Sequence, residues 1–254
     1  ICKVTAIDES GFDTDFLYYF LAPELLLINE KTVATTVKHL SVKDLREITK
    51  PFPPLPEQQK IAKILTSVDE VIEKTQAQID KLKDLKTGMM QELLTNGIGH
   101  TEFKDSPVGR IPAEWDVVRV DEIVTKVGSG VTPKGGSKAY VSSGIPLIRS
   151  QNVHSDGLRL DNVSFITAEQ HQKMKGSQLQ ANDVLLNITG ASIGRCYYLA
   201  DDFIEGNVNQ HVCIIRLKKH VVSHVFITLL LNGQLGQTQI MSLQAGGNRE
   251  GLNF

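Results

Sequence analysis

The 254-residue sequence predicts an α+β fold: a mostly-β domain with a few helices, attached to a long helix that forms a coiled coil. Two observations predict it. Residues 57–94 hold no proline and a single glycine, Gly88, while their apolar residues recur four and three apart. Residues 107–254 break into short apolar, β-prone runs parted by glycine-bearing turns.

Taken in order, residues 1–50 read as a short strand at 2–7, a turn at Gly11, an apolar helix over 15–28 around FLYYFL, and a Thr/His-rich loop at 35–41. A proline-rich lead-in follows with Pro51, Pro53, Pro54 and Pro56. Pro56 suits the first helical position, where its missing N–H is no loss, and Glu57 faces the positive end of the helix dipole. The helix runs to Thr95-Asn96-Gly97; at 1.5 Å per residue it is roughly 55–60 Å long.

Its seam is Ile61, Leu65, Val68, Ile72, Ile79, Leu82, Met89 and Leu93, interrupted only by Thr75 and Lys86 and widened by Ile64, Val71 and Leu85. A seven-residue repeat sustained this long specifies a coiled-coil seam, which one helix cannot bury alone. A partner helix is therefore expected, and self-association through this seam is one way to supply it. The opposite face mixes Lys60, Lys63, Glu70, Lys74, Asp80 and Asp84. The division expected is 1–50, then lead-in and helix at 51–96, a polar linker at 97–106, and a second domain at 107–254.

Within that domain IPAEWDVVRVDEI opens the chain of elements, with Trp115 expected in the core. A glycine-rich loop, VGSGVTPKGGSK, is expected over 127–138. Strands are expected at 145–149, 163–166, 184–188, 196–199 and 211–217, and helices near 168–175 and 224–244. There is also an internal repeat: SHVFITLLL aligns on TDFLYYFL, with Phe226 over Phe16 at an offset near 210 residues.

Composition narrows the function. With 41% hydrophobic and 22% charged residues, this is ordinary globular material without a membrane-length apolar run, and no signal peptide is expected. Cys2, Cys196 and Cys213 form no paired framework, which fits a reducing, cytoplasmic setting. The net charge is −2, but residues 107–254 carry 14 Lys and Arg against 12 Asp and Glu, whereas residues 1–106 carry 13 against 17. A nucleic-acid surface would have to be local.

Catalytic signatures fail one after another. GVTPKGGS (130–137) has glycine where a phosphate-binding loop needs lysine. His220 and His224 lack both a glutamate between them and a third metal ligand. Gly190-Ala-Ser192-Ile-Gly194 resembles a nucleophile elbow in its spacing alone. Asp201-Asp202 sits in a turn. No catalytic residue, metal or cofactor is expected.

Several stretches together carry a resemblance. PFPPLPEQQKIAKIL before a long heptad helix, IPAEWDVVRVDEI, DVLLNITGASIGRCYYL, NVNQHVCIIRL and GGNREGLN occur in that order over 36–254. They resemble the DNA-specificity subunit of Type I restriction–modification systems. That resemblance implies two target-recognition domains, each reading one half of a bipartite double-stranded DNA site, held apart by two antiparallel helices. It implies a subunit without catalysis that docks methyltransferase subunits, which motor-nuclease subunits join. Against the family pattern, most of the first recognition domain and the second spacer helix are missing, so the sequence reads as a fragment.

If the resemblance holds, DNA contacts fall to Lys and Arg for phosphates and to Arg, Asn, Gln and Ser for base edges. The candidates are Lys134 and Lys138, then Arg149, Ser150, Gln151 and Asn152, then Asn187, Thr189, Ser192 and Arg195, then Asn209, Gln210 and His211, and Asn248 and Arg249, with Lys134, Lys138 and the Arg149 loop foremost. Asn209 and Gln210 are expected to bond the turn over 190–194 instead. Two other readings remain: a recognition domain fused to a restriction enzyme, for which no nuclease or methyltransferase motif is present, and a coiled-coil scaffold that binds only protein.

Overall fold

The structure, a computed structural model, describes residues 11–31, 46, 48–49, 51–243 and 251–252. The expected strand at 2–7 and loop at 35–41 lie outside the described residues. The chain divides into two compact units, Ile1–Leu85 and Lys86–Phe254.

In the first unit, α1 (Thr14–Lys31) is longer than expected and runs through Pro23. Asp13 starts it: its Oδ1 accepts from Phe16 N at 2.8 Å, satisfying one of the four N–H groups a helix start leaves open. Phe16 is buried, with the rings of Phe20 and Phe52 at 5.9 and 5.8 Å. Phe52, from the proline lead-in, also meets Phe20 at 4.4 Å and Phe12 at 5.5 Å.

The long helix α2 (Leu55–Thr95, 41 residues) starts one residue before Pro56. Gln58 in its first turn is buried and acts as a clasp. Asp13 N donates to Gln58 Oε1 at 3.0 Å, while Gln58 Nε2 donates to Gly11 O at 3.1 Å and Pro53 O at 2.8 Å. Farther along, Tyr19 Oη donates to Asp69 Oδ2 at 2.6 Å, and that bond raises the phenol's pKa. Of the expected seam, Ile61 is half-buried and Leu65, Val68, Ile72, Ile79, Leu82, Met89 and Leu93 are exposed.

The second unit opens with a hairpin, β1 (Phe103–Ser106) on β2 (Gly109–Pro112), in the register Phe103 to Pro112. Position 107, where the second domain was expected to start, is its turn. Trp115 corrects an expectation: it is half-buried, outside the core, because Trp115 N closes a turn on Pro112 O at 3.0 Å. Its ring meets His100 edge-on at 5.9 Å and lies over Gly97, whose φ is +68°. A Cβ on Gly97 would come within 2.7 Å of Trp115 Cζ2.

After the short α3 (Val120–Ile123), β3 (Val124–Ser129) takes up residues expected to begin the glycine-rich loop. The reason is pairing: Val127, Gly128 and Ser129 oppose Ile215, Ile214 and Cys213 of β11 (Val212–Leu217). With β8 (Val184–Asn187) and β9 (Cys196–Tyr198) they form an antiparallel sheet in the order β3-β11-β8-β9. A second sheet runs β10-β4-β7, from β4 (Ile145–Ile148), β7 (Ser164–Ile166) and β10 (Asn207–Val208), with β10 parallel to β4. β5 (Val153–His154) and β6 (Gly157–Leu158) make a small hairpin. The expected strands agree with these to within a residue or two.

Both faces of the β11–β8 pair are buried, as side chains of alternating direction require. Leu185, Val212 and Ile214 pack with Ile148 and Val153 on one face. Val184, Leu186, Cys213 and Ile215 pack with Ile193, Leu231 and Ile240 on the other. The helix expected over 224–244 is two, α5 (His224–Asn232) and α6 (Gln234–Ser242), parted at Gly233. The capped helix α4 (Ala168–Lys173) matches expectation. Asp183 is fully buried yet paired: Arg216 Nε and Nη2 donate to its two oxygens, each at 2.7 Å.

Candidate nucleic-acid interface

Strand register brings five segments to one edge of the second unit. Ser129 pairs with Cys213, Val212 with Asn187, and Leu186 with Cys196. The segments after β3 and β8 and before β11 and β9 therefore leave the four-stranded sheet on the same side. Parallel pairing of Val208 with Ile148 sends residue 149 out beside residue 209, and Asn209 N donates to Ile148 O at 3.1 Å. Val131 N donates to Val208 O at 3.2 Å; a Cβ on Gly130 would stand 1.9 Å from that carbonyl, so only glycine allows the approach. The fifth segment is 251–252: Gly251 bridges Thr189 and Leu252 N donates to Ile188 O at 3.0 Å.

A row of polar side chains crosses this edge. Thr132 Oγ1 bonds Gln210 Oε1, Gln210 Nε2 meets His211 Nε2 at 3.0 Å, and His211 Nδ1 meets Thr189 Oγ1 at 2.6 Å. Gln210 is exposed, and Thr132, Thr189 and His211 are half-buried. Asn209, however, is buried and bonds its own turn through His211 N at 3.1 Å. The bond expected from Asn209 and Gln210 to the 190–194 turn is therefore not made; His211 is the group that reaches Thr189.

The expected contact residues sort by burial. Lys134, Lys138 and Arg195 are exposed and make no ion pair among the described residues. Arg149 is half-buried, its guanidinium carbon 5.6 Å from the centre of the Tyr140 ring and its Nε buried without a partner. Ser150 is half-buried beside it. Asn152 and Asn187 are buried and serve the scaffold. Asn152 Oδ1 accepts from Arg149 N at 3.0 Å and its Nδ2 donates to Arg159 O at 2.8 Å. Asn187 Nδ2 donates to Ser150 O at 2.9 Å and Val153 O at 3.3 Å, tying the 150–153 turn to β8. Asn248 and Arg249 lie outside the described residues.

Charge distinguishes this edge from the rest of a chain with net charge −2. No Asp or Glu occurs in 123–155, 184–200 or 206–249, which contain every one of these segments except 251–252. These stretches supply cations and no carboxylate. Among the described residues no group of His, Cys, Asp and Glu could hold a metal ion, and no helix is long and apolar enough to cross a membrane.

Residues 1–84 and 112–254 match the family model of the Type I restriction modification DNA specificity domain. The chain belongs to that family. It is 32% identical over 238 residues to the Type I restriction enzyme MjaVIII specificity subunit of Methanocaldococcus jannaschii, covering 92% of this chain and 55% of the relative. The EcoBI specificity subunit of Escherichia coli is 26% identical over 269 residues, covering 100% of this chain and 56% of that one. The chain thus spans about half the length of the curated relatives it matches. Among solved structures, a Type I restriction–modification system S subunit from M. genitalium superposes with a TM-score of 0.53 at 18% identity, covering 93% of this chain and 58% of that one. A chain from a study of assembly and conformational transition of a Type I system gives 0.55 at 17%, covering 92% and 56%. These two likenesses establish the fold of a DNA specificity domain.

Proposed function

We propose that the chain is a non-catalytic DNA-reading part of a Type I restriction–modification specificity subunit, and that its second domain, at 107–254, reads one half of a bipartite double-stranded target. The observation that carries this is the convergence of five segments on an edge that exposes Lys134, Lys138, Arg195 and Gln210 and is free of carboxylates over the three stretches that supply nearly all of it. Lys134 and Lys138 take phosphates, where charge without direction suffices. Arg149, steadied by Tyr140 and Asn152, is aimed at a base edge, with Ser150 and Arg195 beside it. Residues 1–50 are the end of a first recognition domain, and 97–102 link the helix to the hairpin that opens the second.

In the same reading, α2 is a spacer. Its exposed seam receives an antiparallel helix, from a second copy of this chain where no other is present, and its flanks dock methyltransferase subunits that motor-nuclease subunits join. The subunit works in the cytoplasm and needs no cofactor.

The test is a comparison of methylation motifs and DNA binding in a subunit carrying this chain, with its methyltransferase. Lys134→Ala and Lys138→Ala each weaken binding to all sequences alike and reduce the salt slope by about one unit. Arg149→Ala relaxes one position of one half-site, a discrimination worth about 1–3 kcal/mol. A heptad inserted after Lys74 shifts the tolerated gap and leaves the bases read unchanged. An intact motif in Arg149→Ala, or new bases read after the insertion, overturns the assignment.

A further inference from the structure

On the polar edge of the second unit, one exposed side chain is held at both ends of its polar group. Gln210 sits at the tip of the turn over 209–212, in which Val212 N donates to Asn209 O at 3.2 Å and His211 N to Asn209 Oδ1 at 3.1 Å. The turn is pinned on both flanks: Asn209 N donates to Ile148 O and Ile188 N donates to His211 O, each at 3.1 Å. From this base the Gln210 amide accepts at Oε1 from Thr132 Oγ1 and donates from Nε2 to His211 Nε2 at 3.0 Å. An amide has two lone pairs on oxygen and two N–H groups. One of each is spent on the protein and one of each remains, on an exposed residue whose amide plane is restrained.

The direction of the bonds follows along the row. An amide N–H can only donate, so His211 Nε2 accepts and the ring proton stands on Nδ1. Nδ1 then donates to Thr189 Oγ1 at 2.6 Å. With an acceptor at Nε2, the Gln210 nitrogen faces the ring and its oxygen faces Thr132. A doubly protonated ring has donors at both nitrogens and demands the Gln210 oxygen instead. The amide then turns over, Thr132 Oγ1 changes from donor to acceptor, and the free donor and acceptor of Gln210 exchange places. The segments that meet here bring Lys134, Lys138, Arg149 and Arg195, with Tyr140 and His154 as further titratable groups, and no carboxylate occurs in 123–155, 184–200 or 206–249. No anion on these stretches competes for the ring.

We propose that Gln210 reads an adenine edge through its remaining N–H and lone pair, and that His211 is the positioning residue that sets their order. This assignment rests on the reading of the edge as the DNA surface. In the major groove adenine offers N7 as acceptor and the N6 amino group as donor, a pattern that one amide matches with two bonds. His211 acts through Gln210 and needs no contact with the base.

The experiment uses a specificity subunit carrying this chain, with its methyltransferase, and selects bound sequences from randomised duplex DNA. Expected at about pH 8 is a preference of about tenfold or more for A·T at one position, which Gln210→Ala removes while the other positions and the salt slope stay as they are. Gln210→Glu, with acceptors only, shifts that position toward C·G, since carboxylates accept from the cytosine amino group. His211→Phe keeps a ring without nitrogens and loses the same position. His211→Gln restores it, because its Oε1 accepts where Nε2 did. At about pH 5.5, below the usual histidine range, the preference fades in the wild type and persists in His211→Gln. A motif unchanged in Gln210→Ala or in His211→Phe overturns the proposal. So does weakening of all sequences alike by Gln210→Ala, or failure of His211→Gln to restore the position. A wild type that binds DNA without sequence preference strikes the preceding reading and this one with it, whereas an unchanged motif in the variants strikes this one alone.

Discussion

The β11–β8 pair and the helix α2 are both rich in Leu, Ile and Val, and they meet opposite fates. Val184, Leu185, Val212 and Ile214 are wholly excluded from solvent, covered on both faces within their own unit. Val71, Ile72, Leu82 and Leu85 are each more than half exposed. The difference is geometric. A strand pair has two broad faces that loops and helices of the same domain can reach, whereas a 41-residue helix carries its stripe over a far greater length than the 18 residues of α1. Apolar pattern states what a segment must bury; only tertiary structure states whether the chain itself supplies the cover.

Breaking the covered side should cost most. Leu185→Ala removes a fully buried side chain from the middle of the sheet and is expected to destabilise the domain by about 2–5 kcal/mol, read from denaturant unfolding. Trp115→Ala, at a half-buried ring on a turn, should cost distinctly less than that; an equal loss would put Trp115 in the core after all.

The buried thiols give the comparison a pH axis. Burial pushes Cys196 up to about 12 and Cys213 up to about 11, each from 9.0. The folded state thus holds these protons more tightly than the unfolded one. Their contribution is complete below pH 9 and is lost as pH rises through 11 and 12. Cys196→Ala and Cys213→Ala should flatten the fall in stability above pH 9, and both thiols should resist alkylation until the domain unfolds. Ready labelling of either in the native state would refute their enclosure.

On the bare side the smallest folding effect is expected. Ile72→Asp with Ile79→Asp should change the unfolding free energy of either unit by no more than about 0.5 kcal/mol, as at other exposed sites. The same pair should turn a self-associating chain into a monomer in sedimentation. A wild-type chain that sediments as a monomer at micromolar concentration would sharpen the contrast in the other direction: the seam would then be reserved for a different partner.

Much of this was legible in the sequence. Heptad spacing gave the helix to within a residue, since period and proline boundaries are local properties. β-branched runs bounded by glycines gave five strands with little error. Their limits lay where pairing overrides local signals: Val127, Gly128 and Ser129 look like loop and become strand because β11 offers them a ladder.

The site was legible by composition and illegible by role. Arg, Lys and Asn in turns are common to contact residues and to turn scaffolds. Asn152 and Asn187 share that chemistry with the exposed candidates, yet burial and backbone bonding make them supports. His211 was a candidate by composition, but its reach to Thr189 could not be read, because that depends on β11 lying beside β8. The sequence by itself determined the family, the long helix with its apolar seam, and where the strands fall along the chain, because short-range periodicity and motif order encode these. Tertiary structure alone decided which polar residues meet at one edge and which apolar faces stay open. Those outcomes depend on register between segments dozens of residues apart, and no local pattern carries that information.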